Sequence, residues 1–199
     1  MRGPRSRSYG TLCGVKAAPL ALLVLLLATP AALAADEKDP LLPSKRACKG
    51  ATNVEAHPRT QRLAMHCLVN LVRTKAGRRK VRSSAALRHS ATYKARRIAA
   101  CKRFTHSPCG DQLAAPFHQA HVTKHRAWFV GENLGWRKIE EATAWEIMRG
   151  WLESPRHRAV LLDRRFKYLG VRRRRLRLDD LPHGIVIWVA HLGVPKKRR

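Results

Sequence analysis

Trp128-Phe129-Val130-Gly131-Glu132-Asn133-Leu134 divides the chain. Three bulky apolar residues, the composition of a short strand, run into a glycine that an acid and an amide follow. On its N-terminal side the periodic segments are helical. A first helix is expected from Pro58, a good first-turn residue, to about Ala76 before Gly77. Its apolar stripe is Leu63, Cys67 and Leu71, widened by Leu68 and Val72. A second is expected after Ser83 or Ser84, either of which can cap it, and continues to about Lys102. Leu87, Ala91, Ala95, Ile98 and Ala99 form its covered face, with Arg88, Arg96 and Arg97 toward water. Residues 103–126 read as a long loop region.

Downstream, a third helix is expected from about Glu140 to Leu152, with Ala144, Met148 and Trp151 at helical spacing. Pro155 stops it, and Ser154 stands where it can cap the next turn. Two strands then follow, Tyr168 to Arg174 and Ile185 to Leu192. Helices first and strands late give an α+β domain, with helices covering a small sheet.

The N-terminus reads as an export signal over residues 1–34. Arg2, Arg5, Arg7 and Lys16 are basic, Ala17 to Ala28 is apolar, and Ala32-Leu33-Ala34 precedes cleavage before Ala35. At 12 residues the apolar run is shorter than the ~20 that span a bilayer. Residues 35–57 are polar and proline-punctuated and read as a flexible leader; residues 194–199 read as a basic tail. The product is a secreted, extracellular protein of one domain, residues 58–193.

Beyond the signal the chain carries Cys48, Cys67, Cys101 and Cys109. An even number in an exported chain implies two disulfides, and local separation favours Cys48–Cys67 and Cys101–Cys109 among the three pairings. No CxxC pair is present to suggest a zinc–thiolate site.

Lysine and arginine number 41 against 13 acidic residues, a formal charge of +28. Such a field draws anionic partners and accelerates their encounter. An anionic envelope polymer or a lipid headgroup fits it, as does plain solvation of an arginine-rich face. Arg172-Arg173-Arg174-Arg175 and Lys196-Lys197-Arg198-Arg199 are its densest runs.

Several blocks then carry a resemblance. Phe104-Thr105-His106-Ser107, Gly131-Glu132-Asn133-Leu134-Gly135-Trp136 and Trp151-Leu152-Glu153-Ser154-Pro155-Arg156-His157-Arg158 follow one another in order. Phe166-Lys167-Tyr168-Leu169-Gly170-Val171 and Trp188-Val189-Ala190-His191-Leu192-Gly193 continue the series. Together with Leu68-Val69-Asn70-Leu71-Val72-Arg73 they resemble the bacterial, extracellular members of the CAP superfamily, across residues 60–193. The resemblance implies a three-layer α–β–α sandwich with a cleft lined by two histidines and two acids. Carried over by position, these fall on His106, Glu132 and His157, with Ser154 at the fourth place and Glu153 one residue away. His191 stands where an acid is common.

The residues leave two readings of this cleft open. His106 and His157, with Glu132 and a water, have the donor types of an open zinc site. The same groups equally make a hydrogen-bonded cluster that holds loops together. Zinc is the one cofactor in view, and no specific nucleic-acid partner or oligomeric state is inferred. His118, His121 and His125 share a spacing of three and four but lie in the arginine-rich loop and read as solvated. Ser107 beside His106 does not make a hydrolase, since no G-x-S-x-G is present. Trp136, Trp145 and Trp151 read as core or cleft wall. The expectation is a binding module for a lipid or anionic envelope ligand, with a metal-assisted hydrolase and a cationic polyanion-binding protein as alternatives.

Overall fold

In the computed structural model, residues 39–122, 128–178 and 181–195 are described. The export signal, His125 and residues 196–199 of the basic tail lie outside them.

Helix α1 spans Pro58–Lys75. It begins where expected, with His57 Nδ1 accepting from Arg59 N at 3.3 Å. Its buried stripe is Ala64, Met65, Leu68, Val69 and Val72, whereas Leu63 is 57% exposed. The expected stripe is thus turned by about one residue. Leu63 loses its place because positions 64 and 65 both face inward, with 68, 69 and 72 in line below them.

Strand β1 is the pair Arg82–Ser83, and α2 spans Ala85–Cys101. Ser84 caps α2 by accepting from Leu87 N at 3.2 Å. The expected long loop contains a 3₁₀ turn at Pro108–Gly110 and a short helix, α3, over Ala115–Gln119. Strand β2 starts at Trp128 as expected but continues to Lys138. Gly131 and Gly135 do not end it. At Gly135 a β-carbon would lie 3.0 Å from the Trp151 indole nitrogen and 3.2 Å from Ile147, so the residue marks a close helix approach, not a turn.

Ile139–Glu141 forms a 3₁₀ turn, and α4 runs over Ala144–Glu153, four residues later than expected. Thr143, extended at ψ 156°, sets that start by accepting from Glu146 N. Helix α5 spans Pro155–Leu162. Strands β3 and β4 occupy Tyr168–Leu178 and Leu181–Pro195, both longer than expected. Val194 and Pro195, expected in the tail, belong to β4.

The sheet order is β1-β3-β4-β2, with β1 parallel to β3 and the other pairs antiparallel. Strand β4 is central and buried on both faces, so it shows no polar alternation. Ile185, Ile187 and Val189 pack with Ala91, Ala95 and Ile98 of α2. Val186, Trp188, Ala190 and Leu192 pack with Leu68, Val72, Met148 and Leu152 on the other face. This is the α–β–α sandwich.

The stretch read as a flexible leader is packed over its described part, residues 39–57. Leu42, Cys48 and Ala51 enter the core. Trp145 donates from its backbone to Ala51 O and from its indole to Pro43 O, both at 2.9 Å. Gln61 donates to the carbonyls of Asn53, Val54 and Ala56. The Cys48–Cys67 disulfide ties this strap to α1, and Cys101–Cys109 closes the loop after α2. Among the described residues no helix is long and apolar enough to cross a membrane.

Candidate functional site

The β2–β4 register places Glu132 opposite His191, and the β3–β4 register places Gly170 beside it. Paired residues share a face, so all three lie under α2. A β-carbon on Gly170 would stand 2.1 Å from the carbonyl carbon of Leu87. Its absence lets α2 approach the sheet closely enough for Ser90 and Lys94, one turn apart, to reach this row.

Glu132 is the hub, its side chain 1% exposed. Oε1 accepts from His106 Nδ1 at 2.7 Å and Oε2 from His191 Nε2 at 2.7 Å. The ammonium of Lys94, itself buried, stands 3.4 Å from Oε2 and donates to the backbone carbonyl of His106. Burial opposes ionisation of Glu132, but the two imidazole hydrogen bonds and the charges near it outweigh burial. The carboxyl is lowered to about 2.

His191 is pushed down by burial, against the pull of Glu132. With Nε2 donating to the carboxylate, its Nδ1 lies 2.6 Å from Ser90 Oγ, whose hydroxyl donates to the Leu87 carbonyl at 2.9 Å. Phe117 of α3 covers this imidazole, with ring centroids 4.4 Å apart. The row Ser90–His191–Glu132 has the composition of a catalytic triad, yet all three are buried. No substrate atom reaches that serine.

His106 is the part of the cluster that meets solvent, its side chain 53% exposed. The Cys101–Cys109 bridge closes its loop, and Lys94 holds its carbonyl. Asn133 points to the other face of β2 and donates to the carbonyl of His157 in α5 at 3.0 Å. Burial and, second, the charge of His106 lower the His157 imidazole, whose buried Nδ1 has no hydrogen-bond partner among the described residues. Ser154 occupies the N-cap of α5 but makes no side-chain cap hydrogen bond, and Glu153 pairs with Arg149. Of the residues singled out from the sequence, His106 and Glu132 are therefore in contact. His157 and Ser154 belong to the helical layer across β2.

The cluster does not fit a zinc centre. Both Glu132 oxygens are engaged by imidazoles, a lysine ammonium already supplies the positive charge, and among the described residues no group of three His, Cys, Asp or Glu side chains can hold a metal.

Beside the cluster, along the free edge of β2, lies a cavity of about 290 Å³. Phe104, Leu134, Trp136, Ile147, Trp151 and His157 form its wall. Arg137 and Glu153 also line it; Arg137 donates to the Trp136 carbonyl at 2.9 Å and forms no ion pair among the described residues, while Glu153 pairs with Arg149. Trp145, by contrast, is a core residue. His118 and His121 are exposed at the end of α3.

Ser90, Lys94 and Phe117 were not singled out from the sequence. A signal existed for two of them: Ser90 and Lys94 fall between Leu87, Ala91, Ala95 and Ile98, on the covered face of α2.

Several solved structures share the fold. An outer surface protein from Borrelia burgdorferi matches with a TM-score of 0.54 at 20% identity, covering 66% of this chain and 90% of that one. An extracellular protein containing an SCP domain from Bacillus anthracis matches at 0.51 and 17% identity, covering 68% and 43%. A cysteine-rich secretory protein from Staphylococcus aureus matches at 0.51 and 18%, covering 70% and 40%. The chain thus spans less than half the length of the latter two. No curated protein matches. The family model for cysteine-rich secretory proteins matches residues 67–189, more than half of the sequence, and the chain belongs to that family, the CAP family.

Proposed function

We propose that the protein is an extracellular binding module that receives a lipid-like, anionic ligand of the cell envelope in the cavity along β2. The observation that carries this reading is the contrast between two neighbouring sites. The acid of the cluster is buried and fully engaged, which suits architecture. The adjoining cavity has an aromatic wall, an Arg137 with no ion pair among the described residues, a Glu153 already held by Arg149, and a volume near the lower end of the ~300–1,000 Å³ of small-molecule pockets. An acyl or ring system would lie against Trp136 and Trp151, and an anionic head would meet Arg137. Two disulfides and structural neighbours described as outer surface or extracellular support a location outside the cell.

The test is a titration with dodecanoate followed by tryptophan fluorescence. Saturable quenching is expected in the wild type and loss of it in Trp136→Ala. Replacing Arg137 with Gln should weaken dodecanoate about tenfold, as for one charge-assisted contact, and leave dodecanol unaffected. Absence of saturable quenching, or quenching indifferent to both substitutions, sinks the reading.

A further inference from the structure

At the opposite edge of the sheet, five cations converge without an acid among them. Arg79, Lys80, Arg82, Arg164 and Lys167 line a cavity of about 420 Å³. All five are exposed, and none forms an ion pair among the described residues. Some arginines elsewhere do find acids: Arg97 with Asp111, Arg149 with Glu146, Arg158 with Asp39, Arg165 with Asp163 and Arg175 with Glu55. Five cations without an ion pair among the described residues thus share one concavity.

The backbone beneath them is fixed. Arg73, fully buried, donates to Arg79 O on one wall and to Leu161 O, Asp163 O and Phe166 O on the other. Arg82 N donates to Lys167 O at 2.8 Å, and β1 pairs Arg82 with Tyr168. A single guanidinium and a two-residue strand therefore staple together the backbone of the two loops that carry the cations.

We propose that this cavity is a phosphate-binding site, for a phosphomonoester or phosphodiester group carried by a soluble envelope component or by a lipid headgroup. Three guanidinium forks match the tetrahedral oxygens of phosphate better than a single carboxylate, and two ammonium groups supply point charge. Tyr168 and Phe166 complete the lining and give a flat surface for the group that carries the phosphate. The site is separate from the β2 cavity, so either assignment stands without the other.

Calorimetry on the full chain at low salt, with inorganic pyrophosphate and with glycerol 3-phosphate, tests it. The Arg79→Gln, Arg82→Gln pair is compared with the charge-matched Arg174→Gln, Arg177→Gln pair on β3. The first should lose affinity by at least about tenfold, the worth of one charge-assisted contact, and the second far less. Lys80→Gln with Lys167→Gln provides a second route should the first pair lower the melting temperature. Cosedimentation with phosphatidylglycerol vesicles separates the sources. Cavity-dependent retention assigns a headgroup, and soluble binding without retention assigns a soluble phosphate. Equal losses in both arginine pairs, or no pyrophosphate heat in the wild type, would overturn the site in favour of a diffuse field.

Discussion

Glu132 is anionic because two imidazole donors and a lysine ammonium surround a buried carboxyl, and that makes acid the natural stress on this protein. Its folded value near 2 lies below the ordinary 4.5, so the stability it contributes is complete above about 4.5 and lost as pH falls toward 2. The shift corresponds to about 3 kcal/mol. His191, His157 and His66 are also lowered, chiefly by burial, so their contribution is present above 6.5 and declines as the unfolded chain takes up protons. Both sets act in the same direction. Urea midpoints measured across pH should fall in two stages, the histidines first. In Glu132→Gln the lower stage should shrink to the smaller part from Asp163 and Asp111 while the protein is weaker at neutral pH; an unchanged slope below pH 4.5 would refute this account. Glu132 and His106 were legible in the sequence because they sit in recognisable blocks. Lys94 was not, because a lysine in a helix with several arginines reads as surface until the helix is known to be covered.

Among elements, α2 decides whether the cluster exists. It lies against the sheet only because residue 170 lacks a side chain, with Leu87 and Arg88 backbone atoms within 2.1–2.5 Å of where a β-carbon would go. Gly170→Ala should push α2 outward and cost about 3 kcal/mol or more by overpacking. The same displacement should part Lys94 from Glu132, so the acid-dependent loss of stability should shrink in that variant. Calorimetric melting across pH checks both; a variant as stable as the wild type contradicts the packing argument. Helix starts were readable where a capping residue stands next to an apolar period, as at Ser84. They were misplaced where a second cap lay within the expected helix, as at Thr143. The strap was hidden for a different reason: its few anchors, Leu42, Cys48 and Ala51, are scattered among polar residues and bury themselves only against α1 and α4.

For the whole molecule, the α+β class followed from helices preceding strands and the three layers from the family resemblance, but strand order did not. Nothing in local composition says that β4 separates β3 from β2, because pairing partners are chosen by what covers each face. That arrangement governs timing. The strand at the centre of the sheet is the last one made, and without it β2 has no neighbour and β3 only the two residues of β1. A chain ending at residue 180 should show no cooperative thermal transition, although α1 and α2 are complete; a sharp transition in it would show that the helical layers fold unaided. If that transition is absent, the polypeptide would stay threadable until residues 181–195 have emerged, a property compatible with passage through a channel before folding.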